Sequence, residues 1–433
     1  MKVYIETLGC KVNQYESSCI LDDFVQNGYE FTSNMANADV IIINTCTVTN
    51  RTDYKSRYLI NQAIKQKQQN PDVKIVVTGC YSQREIQDKG FTGWELIDLI
   101  VDNNNKNLIG KNIHNFLAIK SDKKKLNSEK LFNNSTDFNL YCEMNMNKMY
   151  ARNRAFLKIQ DGCDMSCTYC AVPSARGKSR SSSIENILSQ VEILVKNGYK
   201  EIVLGGINLG LFDGLNNLLF KFWEISELKR IRLSSIEPQL FTDDLLHTIK
   251  QIDKICSHFH IPLQSGSDTL LKRHNRKYNI KEYKDLITKI QTIKPDCALG
   301  FDVIVGLPGE TEELFNETFE LLNNIDFTYL HVFIYSKRRG TPAAKMTDQV
   351  HGTVAKDRSK KLIQLSDEKK AKYIQKLIEK KIELSANVEN KSEDGLLFGV
   401  SDRYITAYFK EGSSNKLIPV KPYLDGVYCD NSQ

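Results

Sequence analysis

Six cysteines fall into two sets whose placement could hold metal. One set is local: DGCDMSCTYC puts Cys163, Cys167 and Cys170 in C-x3-C-x2-C spacing. With 11 cysteines in 433 residues, independent placement would give that spacing about 0.007 times per chain, so chance does not explain it. The other set is dispersed. Cys10, Cys46 and Cys80 end the runs KVYIETLGC, ADVIIINTC and KIVVTGC, so each thiol closes a strand-like segment. In parallel α/β layers the carboxyl ends of strands share one edge, where ligands bind. Three thiolates could therefore converge on one metal centre. The competing use, small apolar cysteines closing strands for packing, explains one such position better than three equivalent ones.

The ligand count bears on which metal. Structural zinc wants four ligands, and no fourth Cys or His lies near the central loop in sequence, although distant ones could fold in. Iron–sulfur clusters also normally take four cysteines, and three leave one iron open. An open iron can chelate the amino and carboxylate groups of S-adenosylmethionine, and a reduced cluster there can cleave the sulfonium to a 5′-deoxyadenosyl radical. Disulfides are not expected, because the cysteine count is odd and no export signal precedes the first domain. Cys19, Cys142, Cys256, Cys297 and Cys429 are expected to have no metal role.

The elements that must position these thiols alternate along the chain. Residues 1–112 read as a parallel α/β domain with strands near 2–7, 39–43 and 74–78. Residues 113–148, rich in Asn, Lys and Ser, read as a loosely packed linker. Residues 149–375 carry six strand candidates, FLKIQ, EIVLGG, RIRLSS, SHFHIP, ALGFDVIVG and YLHVFIY, fewer than the eight of a closed barrel, so a partial (βα)6 barrel is expected. Residues 376–433 read as a small β-barrel. The whole is α/β in class. No run approaches the ~18 apolar residues of a membrane span, and a cytoplasmic location is expected. The net charge is +6, and 354–381 carries an excess of Lys and Arg sufficient to account for it.

The chain resembles the radical S-adenosylmethionine methylthiotransferases over nearly its full length. TLGCKVNQYES, INTCTVTNRTDYKSR, DGCDMSCTYCAVPSARGKSRS, HIPLQSGSD and DVIVGLPGETEE carry the resemblance in family order. The first two look like the subgroup acting on threonylcarbamoyladenosine in tRNA. At YSKRRGTPA the chain departs from the family, which more often has proline where Lys337 and Arg339 stand.

The resemblance implies a radical SAM barrel, a C-terminal TRAM-like RNA-binding domain, two [4Fe–4S] clusters and S-adenosylmethionine. It implies that the cluster on Cys163, Cys167 and Cys170 generates the radical, and that the cluster on Cys10, Cys46 and Cys80 supplies or holds the sulfur inserted at C2 of the modified adenosine. Tyr169 is expected against the cofactor's adenine or simply packing the loop. Gly205, Gly206 and Asn208 are expected at its methionyl amino group or in a turn, and Ser235 and Glu237 at its ribose or sulfonium or, for the glutamate, in a salt bridge. Gln264 and Asp302 are weaker candidates, and His258 and His260 alternate toward one side of a strand. Arg176 and Arg180 offer guanidinium forks for a phosphate or for the threonyl carboxylate.

The expected partners are tRNA, an electron donor of flavodoxin or ferredoxin type, and a sulfur source, with no membrane. Two alternatives stay open: the same chemistry on isopentenyladenosine in tRNA or on a ribosomal protein, and a non-catalytic iron–sulfur RNA-binding redox sensor.

Overall fold

Apolar strand runs and amphipathic helices alternate from the first residue, and they fold as that alternation dictates. The computed structural model describes residues 1–88, 94–118, 140–150, 153–391, 397–409, 416–423 and 426–428. The chain forms two compact units. One comprises Met1–Tyr150, Lys158–Met165 and Cys170–Gln190; the other comprises Ala151–Leu157, Ser166–Tyr169 and Val191–Gln433.

The first unit begins β1 (Lys2–Thr7), α1 (Lys11–Gln26), β2 (Glu30–Phe31), β3 (Val40–Thr45), α2 (Asn50–Gln69), β4 (Lys74–Gly79), α3 (Cys80–Asp88), β5 (Leu99–Val101) and α4 (Ile109–Ala118). Its sheet has the order β2-β1-β3-β4-β5 and is parallel throughout. The central strand β3, VIIINT, is buried at every position, as a strand covered on both faces must be. Ile41, Ile43, Ile75 and Val77 pack with Ile60 and Ala63 of α2. Each such buried large aliphatic contributes about 1.5–3 kcal/mol relative to exposure. A reciprocal pair of hydrogen bonds between Thr49 and Thr52 starts α2 and satisfies two otherwise orphaned backbone donors.

The linker expectation needs correction. α4 runs past residue 113, and 119–139 lie outside the described residues. Residues 140–150 are not loosely packed: Cys142, Met144, Met146 and Met149 are buried. The Tyr15 hydroxyl donates to the Met144 carbonyl, and Asp22 accepts from the Asn147 N–H and the Tyr150 hydroxyl. Asn-rich text concealed an extended stretch in which every second residue from Cys142 to Met146 is buried.

Next come β6 (Ala155–Lys158), β7 (Gln160–Asp161), α5 (Val172–Arg176), β8 (Arg180–Ser181) and α6 (Ile184–Lys196), with β7 and β8 paired antiparallel. The second unit continues with β9 (Glu201–Gly205), α7 (Leu215–Glu224), β10 (Arg230–Leu233), α8 (Asp243–Gln251), β11 (His258–His260), α9 (Asp268–Arg273), α10 (Ile280–Ile293), β12 (Ala298–Val305), α11 (Glu312–Asn324) and β13 (Tyr329–Ile334). All six expected strands are present. They form the sheets β6-β9-β10 and β11-β12-β13, and a parallel bridge from Ile231 to Ile255 links β10 to the residues before β11.

Helix α12 (Gly352–Glu379) leads to β14 (Leu384–Lys391), β15 (Leu397–Ser401), β16 (Thr406–Phe409), β17 (Leu417–Tyr423) and β18 (Gly426–Tyr428). These close into a barrel in the order β14-β15-β16-β18-β17, antiparallel except at β16–β18. The expected boundary at residue 376 falls inside α12. The barrel shares an apolar core with that helix and with Ala298. Buried charge joins them further: Glu201 holds Arg232 at 2.8 Å, and Arg232 donates to the carbonyls of Ser401 (2.8 Å) and Asp402 (3.2 Å). Removing 376–433 would therefore strip a core, not detach an appendage.

Candidate metal and cofactor site

The three dispersed cysteines follow three neighbouring strands. Cys10 caps α1 just after β1, Cys46 follows β3, and Cys80 opens α3 directly after β4. Glycine makes two of these exits possible. Gly9 (φ 97°) and Gly79 (φ 104°) take the left-handed region, which other residues enter only under strain. A Cβ on Gly9 would lie 2.4 Å from the Cys46 sulfur, and one on Gly79 2.2 Å from the Thr45 carbonyl oxygen. The thiols are also within electrostatic reach. Burial pushes the Cys46 thiol up to about 12, and Cys80 and Cys10 add to that rise. A clustered, partly buried thiol set carries thiolate charge only with a cation to balance it, so the donor set fits a metal centre.

Arg176 stands against this set. Its Nε–H donates to the Cys80 sulfur at 3.2 Å. Its remaining donors reach Glu16 (2.9 and 3.1 Å), Asp161 (3.0 Å) and the Asn13 side-chain oxygen (2.6 Å). Lys106 and Lys158 pair with the same Glu16. All five of these charged groups are essentially fully buried. Although burial opposes it, Arg176, Lys106 and Lys158 hold the Glu16 carboxyl well below the usual range. Arg180 also approaches Asp161 at 3.6 Å, so among the described residues four cations face two carboxylates, and the surplus positive charge lies beside Cys80.

The local set sits in the loop after β7. The Cys163 N–H donates to the Gly177 carbonyl (3.1 Å), and the sulfurs of Cys163 and Cys170 accept from the N–H groups of Met165 and Val172. In the second unit, Arg276 donates to the Cys167 sulfur at 3.0 Å and pairs with Glu237. The Tyr169 ring lies 6.0 Å from that of His274, and its buried hydroxyl has no hydrogen-bond partner among the described residues. The Ser234 and Ser235 hydroxyls just beyond β10 are likewise buried and unpartnered. Buried orphans of this kind are rare without a ligand, and they fit a polar cofactor at these strand ends.

Comparison with known proteins decides the family. Residues 2–101 match the uncharacterized protein family UPF0004, and residues 157–322 match the radical SAM superfamily. The threonylcarbamoyladenosine tRNA methylthiotransferase of Bacillus subtilis is 40% identical over 98% of this chain and 96% of its own. That of Aquifex aeolicus is 37% identical over 90% and 94%. The chain belongs to the radical SAM tRNA methylthiotransferases. Another member, the tRNA-2-methylthio-N6-dimethylallyladenosine synthase of Thermoanaerobacter pseudethanolicus, is 35% identical over 96% of this chain and 86% of its own. Among solved structures, the radical S-adenosylmethionine methyltransferase TsrM of Kitasatospora setae superposes with TM-score 0.58 at 13% identity, covering 79% of this chain and 75% of that one. It shows a likeness of fold alone.

Within this methylthiotransferase, Gly205 ends β9, Gly206 follows it, and Asn208 is buried before a short turn. Glu237 is committed to Arg276, in a partly enclosed pair and not on the open surface. One expectation fails on geometry. Every N–H of Arg176 is already engaged inside the first unit, so it has no fork left for a substrate anion. Arg180 is also buried, donating to the Arg176 carbonyl (2.5 Å) and the Asn104 side chain (2.7 Å). Sequence could not show this, because the partners Glu16, Asn13 and Asn104 lie 160, 163 and 76 residues away. Arg276 was missed for a similar reason: it lies 109 residues beyond the thiol it touches.

The basic excess is also partly spent. Arg358 is buried on Glu310 and Glu312, and Lys376 and Lys380 pair with Asp296. Among the described residues, no helix is long and apolar enough to cross a membrane.

Proposed function

We propose that this protein replaces the C2 hydrogen of N6-threonylcarbamoyladenosine, beside the anticodon of tRNA, with a methylthio group. The observation that carries this reading is full-length similarity to the Bacillus subtilis enzyme of that name, in a chain whose three dispersed cysteines follow neighbouring strands. The cofactors are [4Fe–4S] clusters and S-adenosylmethionine. When bound, they supply one-electron removal of the C2 hydrogen, a sulfur to take its place and a methyl group to cap it.

The chain's own residues hold and orient. Cys163, Cys167 and Cys170 would bind the cluster that carries S-adenosylmethionine, and Cys10, Cys46 and Cys80 the second. Arg276 and Arg176 donate hydrogen bonds to one thiol of each set. Tyr169, Gly205, Gly206, Asn208, Ser235 and Glu237 would line the cofactor. Sulfur is consumed at each turnover and electrons must be fed in, so a sulfur source and a low-potential donor of flavodoxin or ferredoxin type are required partners.

The closed C-terminal barrel serves as a TRAM-like RNA-binding module. With the exposed lysines of α12 it grips the tRNA backbone, which makes binding steeply salt-dependent and largely sequence-blind. The domain organisation is an N-terminal cluster domain, a radical SAM core and this module.

The isopentenyladenosine alternative has one observation in its favour, the 35% identity to a dimethylallyladenosine enzyme. Mass spectrometry of tRNA nucleosides from a deletion strain separates the two. Accumulation of unthiolated N6-threonylcarbamoyladenosine supports the proposal, and accumulation of N6-isopentenyladenosine overturns it.

A further inference from the structure

Strands β11, β12 and β13 place His260, Asp302 and His331 on one face of their sheet, since Asp302 is in register with His331 and His260 with Gly300, two residues earlier. One oxygen of Asp302 is held from both sides, by His260 Nε2 at 2.9 Å and His331 Nδ1 at 3.2 Å. Although burial opposes it, these hydrogen bonds keep the carboxyl well below its usual range, so it is a carboxylate. The back of the group is rigid. His260 Nδ1 lies 3.1 Å from the Tyr329 hydroxyl, which in turn lies 2.8 Å from His258 Nε2. The Tyr329 ring occupies the space that a side chain on Gly300 would need.

The front is open. The His331 side chain is 50% exposed. The second oxygen of Asp302 and the Nε2 of His331 have no partner among the described residues. Gln264 lies alongside: its N–H donates to the Asp302 carbonyl (2.7 Å), and it is held at φ 62°. Non-glycine residues at such angles cluster at functional sites. Phe333, two residues beyond His331 on the same strand, is 39% exposed and offers an aromatic face of the kind on which bases stack. The group is close to the cofactor residues. The Asp302 charge acts on Glu237, and the Tyr278 hydroxyl, hydrogen-bonded to the Leu263 carbonyl just before Gln264, also meets Arg276.

We propose that Asp302, His331 and Gln264 form the subsite for the amino-acid appendage of the modified base, and that His331 discriminates between polar and apolar appendages. This rests on the function proposed above. A threonylcarbamoyl group presents ureido N–H groups and a hydroxyl, which the free Asp302 oxygen accepts. Its hydroxyl and N–H groups also suit the His331 Nε2, which accepts because the Nδ1–H is given to Asp302, and its carbonyl and carboxylate oxygens accept from the Gln264 amide. An isopentenyl group presents none of these and leaves the pocket's polar atoms unpaired. Sites built on hydrogen bonds reject an analogue lacking them by on the order of 10⁴-fold. The subsite also supplies what Arg176, with its donors engaged inside the protein, does not.

The test uses anaerobically reconstituted holoenzyme and two anticodon stem–loop RNAs, one bearing N6-threonylcarbamoyladenosine and one N6-isopentenyladenosine. The readout is the ratio of kcat/KM for the two, from which any inactive fraction cancels. His331→Phe is expected to lower the ratio at least about tenfold, and His331→Gln, which keeps an acceptor, to hold it within about threefold. A ratio unchanged in His331→Phe overturns the proposal. So does loss of one equivalent of zinc or of non-cluster iron from Asp302→Asn, which would make the same three groups a metal site. If the wild type methylthiolates the isopentenyl RNA alone, the function proposed above falls first and this subsite with it.

Discussion

Cys80 and Cys167 each accept a hydrogen bond from a buried arginine, but the two arginines are held very differently. Arg176 has all its donors engaged and sits among fully buried charges. Arg276 rests on one carboxylate, Glu237, and on the face of Tyr278 at 5.1 Å. The first arrangement welds a thiol set to a sheet edge. The second leaves its thiol in a loop held by fewer buried charges. One thiol set depends on tertiary structure and the other on local chain, and they should fail differently when disturbed.

The largest expected effect separates the sets outright. Replacing Cys10, Cys46 and Cys80 together by alanine should abolish methylthiolation while 5′-deoxyadenosine is still released from S-adenosylmethionine. Cys167→Ala should abolish both, as read by mass spectrometry of RNA and of the small-molecule products. If the triple variant keeps methylthiolating, the two sets do not divide the work.

Next comes the arginine pair. Arg176→Met takes charge-assisted hydrogen bonds from Glu16 and Asp161, which Lys106, Lys158 and Arg180 still face, and should destabilise the first unit by about 1.5–3 kcal/mol, measured by denaturant unfolding of the apoprotein. Arg276→Met should cost less stability and more S-adenosylmethionine cleavage. Equal losses of stability would erase the contrast.

A pH profile sharpens the comparison by bringing in a third buried network. Although burial opposes it, Arg232, Arg154 and Arg230 hold Glu201 below its ordinary value of 4.5. A lowered carboxyl stabilises the fold above that value and loses its contribution as pH falls through the folded-state value. Unfolding should therefore steepen below about pH 4.5 in the wild type, and Glu201→Gln should flatten that limb while lowering stability at pH 7.

The smallest effect probes the scaffold alone. Thr49→Ala removes the cap of α2 and should cost about 1 kcal/mol with both cofactor sites still loaded, seen as a modest shift in Tm at unchanged iron content.

The same contrast sets what sequence could reveal. C-x3-C-x2-C is visible because its cysteines are neighbours in the chain. The dispersed set is visible only because each cysteine ends a strand, and strands can be read from β-branched runs such as VIIIN. All six strands of the core were legible for that reason. Buried charge was not legible. Glu16, Lys106 and Lys158 look like ordinary surface residues until the fold brings them against Arg176, and Asp302 gains significance only when β11 and β13 set His260 and His331 beside it. The packing of 140–150 was hidden by its composition, and the boundary at 376 by a basic helix that continues through it.

Iron content tests the central claim most directly. Each [4Fe–4S] cluster holds four irons, so anaerobically reconstituted wild type should carry about eight per chain, and the Cys10, Cys46, Cys80 triple-alanine variant about four. A wild type that saturates near four, or a triple variant that still holds about eight, would contradict the account.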